Sequence, residues 1–85
     1  MVRIYSIKQC SYCNELKELL KSNNIEFKDI DIDLKENQEE FNKINLIAKT
    51  DSVPIILVNK RILVVNKSYK TIQEAFELIK KFLNS

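Results

Sequence analysis

Glycine is absent from this 85-residue sequence, and so is histidine. Glycine normally occupies the left-handed backbone positions at helix ends and tight turns, where a Cβ atom is unfavourable. Asparagine tolerates the left-handed region better than most other residues. We therefore expect asparagine to fill these positions, at Asn23 or Asn24, at Asn59 and at Asn66.

Metal-binding patterns are also missing from the sequence. A structural zinc site needs four ligands, and this chain has two cysteines and no histidine, so a site within one chain is not supported. The acidic residues Asp29, Asp31 and Asp33 lack the glycine and the terminal glutamate of a calcium loop. We interpret them as a strand edge and a solvated loop, and we predict no metal ligands.

Long hydrophobic runs and an excess of one charge are absent too. No segment approaches the roughly 18 apolar residues of a membrane span, and the first residues lack the apolar core of a signal peptide. The 14 basic and 12 acidic residues leave a net charge of +2, which requires no basic face for nucleic acid. We expect a cytoplasmic, monomeric protein of one domain over residues 1–85, with neither nucleic acid nor membrane as a partner.

The apolar periodicity predicts the element order βαβαββα. The predicted strands cover residues 2–6, 25–31, 55–58 and 62–65, and the predicted helices cover 11–23, 36–49 and 71 to the C-terminus. The continuous apolar run Ile55–Val58 is typical of a central strand buried on both faces. Thr71 and Glu74 have the spacing of a capping box at the start of the last helix. These elements predict an α/β fold with a mixed four-stranded sheet flanked by three helices.

The two cysteines, Cys10 and Cys13, are two residues apart at the end of a predicted strand and the start of a predicted helix. This placement exposes the first sulfur at the positive end of the helix and leaves the second within bonding distance behind it. Two cysteines at this spacing, rather than several bridges, indicate reactive thiols in a reducing compartment. The pattern therefore favours reversible disulfide chemistry.

A second motif, Ser52-Val53-Pro54, precedes the buried strand. With Cys10-Ser11-Tyr12-Cys13 at a helix start, it makes the sequence resemble the glutaredoxins of the thioredoxin superfamily over nearly the whole chain. The resemblance implies a thioredoxin-like (glutaredoxin) fold, a cis peptide bond before Pro54, and a Val53 backbone that hydrogen-bonds the cysteinyl part of glutathione.

The activity implied by the resemblance is glutathione-dependent thiol–disulfide exchange on protein disulfides or glutathione mixed disulfides. Cys10 is expected to be the nucleophile, because a helix N-terminus and a nearby cation lower a thiol pKa from about 8.5. Cys13 is expected to resolve the mixed disulfide. Tyr12 is either an apolar wall beside the substrate or an aromatic packed under the first helix.

Other glutathione contacts differ from the family pattern. The basic residue that family members place three positions before the first cysteine is Ile7 here, so Lys8 is expected to take its role. Lys49 stands where a glycine often closes the second helix. The family's Gly-Gly-Asp is replaced by a glycine-free segment, where backbone N–H groups around Ser68 are the expected carboxylate ligands. For either lysine, the alternative is a solvated surface cation.

Three alternatives remain open at this point. The missing Gly-Gly-Asp favours a redoxin reduced by thioredoxin reductase that donates electrons to a partner such as ribonucleotide reductase, whereas Tyr12 disfavours it. Ser11 resembles the serine of those glutaredoxins that bridge a [2Fe–2S] cluster between two chains with two glutathione molecules. A non-enzymatic cluster carrier or binding module is the third alternative.

Overall fold

The computed structural model describes residues 1–50 and 52–84. Asp51 and Ser85, at the predicted end of the last helix, lie outside the described residues. The strands are β1 (Val2–Ser6), β2 (Lys28–Asp31), β3 (Ile55–Val58) and β4 (Arg61–Val64), and the helices are α1 (Ser11–Ser22), α2 (Gln38–Ala48) and α3 (Ile72–Leu83). Within residues 1–50 and 52–84, no helix has the length and apolar character needed to cross a membrane.

The four strands form one mixed sheet in the order β2-β1-β3-β4. β1 pairs with β2 in parallel, while the β1–β3 and β3–β4 pairs are antiparallel. β3 is therefore a central strand, as its apolar run predicts, and the predicted βαβαββα order and fold class are confirmed. Because β1 and β2 run parallel, their carboxyl ends lie at the same edge of the sheet, and the loop that carries Cys10 leaves from that edge.

Apolar side chains bury both faces of the sheet. The larger cluster joins one face to α1 and α3 and contains Ile4, Leu16, Ile56 and Ile79, all with 0% exposure. The smaller cluster, on the α2 side, includes Ile55, the neighbour of Ile56 in β3. This alternation follows from the two-residue period of a strand, and each fully buried isoleucine contributes about 1.5–3 kcal/mol.

Polar contacts attach α2 to the sheet. The Oε2 atom of Glu40 accepts hydrogen bonds from Arg3 Nη1 at 2.8 Å and from the Tyr5 hydroxyl at 2.7 Å. The Tyr5 hydrogen bond holds the pKa of Glu40 below its ordinary value of 4.5, and burial raises the pKa of Tyr5. Both groups therefore stay in the protonation states that the hydrogen bond requires at neutral pH.

Positive φ angles occur at three of the asparagines that the glycine-free sequence predicts, Asn24, Asn59 and Asn66. A fourth lies at Lys49, which ends α2 at φ 50° and donates its N–H to Asn45 O at 2.8 Å. The ammonium group of Lys67 contacts the carbonyl oxygens of Ala48 and Lys49 at 3.2 and 3.3 Å. A cation at the C-terminal carbonyls of a helix is favourable and satisfies groups that the helix leaves unpaired.

Several boundaries differ from the predicted ones: β2 begins at Lys28 instead of residue 25, and β4 ends at Val64 instead of residue 65. The predicted start of α2, at Glu36, instead lies in a 3₁₀ turn over Lys35–Asn37. The backbone N–H of Asn37 donates to Leu34 O, and the side-chain amide of Asn37 donates to Asp31 O. β4 begins one residue earlier than predicted, because Arg61 pairs with Val58 and leaves a two-residue turn.

The left-handed residue at the end of α2 yields a stability prediction. Replacing Lys49 by glycine removes the Cβ atom that disfavours φ 50°, so we expect Lys49→Gly to stabilise the fold by about 0.5–1 kcal/mol in urea unfolding at unchanged m-value. Lys43→Gly, inside the same helix, is the matched control and should destabilise by about 1 kcal/mol. A Lys49→Gly protein less stable than the wild type would contradict the argument.

Candidate active site

The sulfur of Cys10 caps the N-terminus of α1. Cys10 has extended backbone angles, and its Sγ atom accepts a hydrogen bond from the Cys13 amide at 3.1 Å. The Cys10 amide in turn bonds Ile7 O at 3.3 Å, which closes the loop that leaves β1. A side chain that accepts from an amide three residues on is the usual N-cap arrangement, here with sulfur in place of oxygen.

Cys10 and Cys13 are joined by a disulfide bond in this structure, with their Cα atoms 5.2 Å apart. Cys13 is completely buried, whereas Cys10 is partly exposed. The first turn of α1, described in full by the structure, carries no acidic side chain. An incoming thiol or disulfide therefore reaches Cys10 first, at the positive end of the helix.

A cavity of about 180 Å³ lies beside Tyr12, one of the two residues between the cysteines. Three of the predicted substrate contacts line it: Tyr12, Val53 and Pro54. The Val53–Pro54 peptide bond is cis, as the resemblance implies. Tyr12 is 65% exposed, so it forms a wall beside the site rather than a packed aromatic under α1. The chain thus brings the Cys-x-x-Cys and Val-Pro motifs to one place.

The other predicted contacts lie elsewhere or are engaged within the chain. Lys8 borders a separate hollow, beside Lys17 and Asp29, whose charged groups are 3.1 Å apart. Lys49 is exposed at the end of α2. The Ser68 hydroxyl accepts a hydrogen bond from the Val64 amide at 3.1 Å.

The start of α3, at the far end of the cavity, binds a carboxylate from its own chain. Glu74 Oε1 accepts from the Lys70 and Thr71 amides at 2.9 and 3.0 Å, and the Thr71 hydroxyl accepts from the Glu74 amide at 3.1 Å. The Lys70 N–H lowers the pKa of Glu74, which keeps the carboxylate ionised. The capping box predicted from the sequence is confirmed. Because of this capping box, the backbone N–H groups of Lys70 and Thr71, which line the cavity, already have an acceptor.

Tyr69 is a site residue that sequence reasoning missed. It lines the cavity and is only 4% exposed, and its hydroxyl donates to the carbonyl oxygen of Pro54 at 2.7 Å. Burial raises the pKa of Tyr69, so the hydroxyl remains a donor. The sequence signal that could have revealed Tyr69 is its helical spacing with Ile72 and Phe76. This spacing indicates that the apolar face of α3 begins before the first residue of the helix.

The described residues contain no cluster of three or more His, Cys, Asp or Glu side chains that could hold a metal ion. A cluster of the [2Fe–2S] type requires four thiolates. Of the two cysteine sulfurs, Cys13 Sγ is buried behind Cys10, so one chain presents a single accessible cysteine sulfur. One chain alone therefore does not supply four thiolates, and the cluster bridged between two chains with two glutathione molecules stays a prediction.

Taken together, the fold and the site define a thioredoxin-like protein with a redox-active cysteine pair, a thiol oxidoreductase. The family model named Glutaredoxin matches residues 2–63, which is well over half of the chain. A glutaredoxin-like 8.6 kDa protein encoded in a rubredoxin operon of Clostridium pasteurianum is 38% identical over 66 residues, covering 75% of this chain and 83% of the relative. The chain therefore belongs to the glutaredoxin family.

Solved structures agree on the fold. The glutaredoxin grx-1 from Archaeoglobus fulgidus superposes with a TM-score of 0.71 at 23% identity, covering 99% of this chain and 86% of the other. The glutaredoxin-like NrdH-redoxin of Escherichia coli, described as having a thioredoxin-like activity profile, gives a TM-score of 0.59 at 15% identity. The superposition with the NrdH-redoxin covers 94% of this chain and 91% of the redoxin chain. At these identities the likeness concerns the fold alone.

The unequal burial of the two sulfurs predicts unequal labelling. In the reduced protein, we expect iodoacetamide to modify Cys10 at least about tenfold faster than Cys13, because Cys13 is closed off from solvent. Tandem mass spectrometry of the peptide that contains both cysteines measures the order. In Cys10→Ser, Cys13 should label only after denaturant is added. Equal rates for the two thiols in the folded protein would show that the burial does not control access.

Proposed function

We propose that this glutaredoxin reduces protein disulfides and glutathione mixed disulfides, with glutathione as the reductant. The observation that carries the proposal is the partly exposed Cys10 sulfur at the N-terminus of α1, bonded to a buried Cys13 and next to the cavity formed by Tyr12, Val53 and Pro54. The proposal includes the expected setting: a monomer in the reducing cytoplasm.

The reaction begins with the reduced pair. The Cys10 thiolate attacks one sulfur of the substrate disulfide, the substrate S–S bond breaks, and the leaving thiolate takes up a proton. The Cys13 thiol then loses its proton and attacks Cys10 Sγ, which releases the second substrate thiol and forms the Cys10–Cys13 bond. The substrate gains two electrons and the pair loses two. The Cys13 amide stabilises thiolate character on Cys10 Sγ whenever that sulfur is the leaving group.

Regeneration consumes two molecules of glutathione. The first attacks Cys10 Sγ in the Cys10–Cys13 disulfide, which breaks that bond, forms a mixed disulfide and frees Cys13 as a thiol. The second attacks the glutathione sulfur of the mixed disulfide, which breaks its bond to Cys10, releases the Cys10 thiolate and forms glutathione disulfide. In this proposal the Val53 backbone pairs with the cysteinyl part of glutathione beside Tyr12 and Pro54. The exposed Lys8 and Lys49 are the proposed carboxylate ligands. Ser68 is proposed to contribute through its hydroxyl hydrogen, because its amide already donates to Val64 O at 2.8 Å.

The division of labour between the cysteines gives a mutational prediction. Cys10→Ser removes the attacking sulfur, so it should lower every reductase activity by about three orders of magnitude or more. Cys13→Ser should keep the reduction of glutathione mixed disulfides, which needs one thiol, and lose the reduction of intramolecular protein disulfides. Coupled NADPH oxidation with glutathione and glutathione reductase measures both. If the two variants behave alike on both substrates, the assigned roles are wrong.

A second candidate is a redoxin reduced by thioredoxin reductase that donates electrons to a protein partner such as ribonucleotide reductase. The observation that favours it is the occupied start of α3: Glu74 already binds the Lys70 and Thr71 amides that a glutathione carboxylate would use. The likeness to the NrdH-redoxin fold is consistent with this candidate. The sulfur chemistry is the same, and only the source of electrons differs.

One comparison separates the two candidates. Turnover of a small glutathione mixed disulfide with glutathione, glutathione reductase and NADPH is measured beside turnover of a protein disulfide with thioredoxin reductase and NADPH, with Cys10→Ser as the background in each. The first proposal expects the glutathione system to be faster by at least about tenfold, since its reductant enters the cavity directly. Faster turnover with thioredoxin reductase would assign the second function instead. If neither system gives turnover, both reductase functions are wrong and a non-enzymatic binding module is the function that remains.

A further inference from the structure

The loop formed by residues 66–70 is tied to the active site through one buried hydroxyl. Tyr69 OH donates to Pro54 O at 2.7 Å, and Tyr69 is 4% exposed. Pro54 lines the cavity and leads directly into β3. Pro54 follows Val53 directly and its ring fixes its φ angle, so a hydrogen bond that holds the Pro54 carbonyl restricts the backbone around Val53.

The same loop is held from several sides, which fixes the position of the hydroxyl. The Asn66 amide donates to Tyr69 O at 2.7 Å, and the Ser68 amide donates to Val64 O at 2.8 Å. The side chain of Lys67, within the loop, binds the carbonyls at the end of α2. Because these bonds involve the chain alone, the loop is ordered before any substrate arrives, and binding does not have to organise it.

The buried hydroxyl is not required by packing. The Tyr69 ring belongs to the larger apolar cluster with Ile72 and Phe76, where a phenylalanine ring would bury the same apolar surface. A hydroxyl taken out of water is unfavourable unless it finds a partner. The partner it finds is the carbonyl beside the substrate cavity, and this choice of partner points to a role at the site.

We infer that Tyr69 is a positioning residue: its hydroxyl holds the Pro54 carbonyl and thereby sets the Val53 backbone that receives an extended substrate chain. The inference rests on the proposed function, in which Val53 pairs with the backbone of the bound disulfide. Tyr69 acts through Pro54 and takes no part in sulfur exchange. It therefore governs how well a peptide disulfide binds, and leaves the reactivity of the Cys10 thiol unchanged.

Tyr69→Phe tests the inference, with Tyr5→Phe as the matched control. Tyr5 is 1% exposed, and its hydroxyl donates to Glu40 at 2.7 Å on the α2 side of the sheet. Each pre-reduced protein is mixed with a disulfide-bearing peptide and, separately, with 2-hydroxyethyl disulfide. The single-turnover rate is followed against concentration without added reductant, so the result does not depend on the physiological electron donor.

For Tyr69→Phe we expect the half-saturating peptide concentration to rise about tenfold, since a displaced backbone weakens pairing with an extended chain. The limiting rate and the rate constant for 2-hydroxyethyl disulfide should stay within about twofold, because thiol reactivity is untouched. Tyr5→Phe should leave all three values at wild-type level, even if it lowers the melting temperature by as much as Tyr69→Phe does.

The inference is overturned if Tyr69→Phe matches the wild type on the peptide, if it slows both substrates equally, or if Tyr5→Phe raises the half-saturating concentration to the same extent. Should Tyr69→Phe fail to fold, the comparison is made in the Asn24→Gly background, which relieves the φ of 58° after α1 and touches no proposed substrate contact, with Asn24→Gly alone as the reference. A wild-type protein that reduces neither disulfide overturns the proposed function and, with it, the inference. A wild type that reduces both, beside an unaffected Tyr69→Phe, overturns the inference alone.

Discussion

The hydrogen bond from the Cys13 amide to the Cys10 sulfur is the contact on which the site depends. It fixes the reactive atom at the first turn of α1, and its donor cannot move without the helix. The helix is held by Leu16 and Leu20, both fully buried against the sheet. A backbone N–H bonded to a thiolate is charge-assisted and stronger than a neutral hydrogen bond. The chemistry of the exposed sulfur thus rests on the apolar packing of the helix behind it.

In the proposed function, thiol exchange and the choice of reductant reside in different parts of this chain. The exchange is proposed for the start of α1, whereas contact with the rest of a substrate is proposed for the loop at residues 66–70 and the start of α3. In that second region the chain binds its own backbone: Glu74 caps α3, and Tyr69 and Lys67 reach Pro54 and the end of α2. Residues there can change without altering the sulfur chemistry.

The two faces of the sheet are stabilised differently. The α1 and α3 side has a large apolar cluster, whereas α2 buries few side chains and leaves Leu46 and Ile47 exposed by 75% and 70%. Polar contacts compensate on this side. Glu40 joins α2 to β1 at one end, and Lys67 binds the carbonyls at the other. The position of α2 therefore relies on these polar contacts as well as on apolar burial.

Local spacing and single-residue backbone preferences were enough to predict a first group of features. These are the order of the elements, the central strand, the cysteine pair at a helix start, the capping box of α3 and the left-handed asparagines 24, 59 and 66. Only the tertiary structure decided that Lys8 faces a separate hollow, that Lys67 reaches the end of α2 and that Tyr69 binds Pro54. The last two contacts join residues 15 or more positions apart, and no local pattern encodes which distant carbonyl a side chain will meet once the sheet brings the segments together.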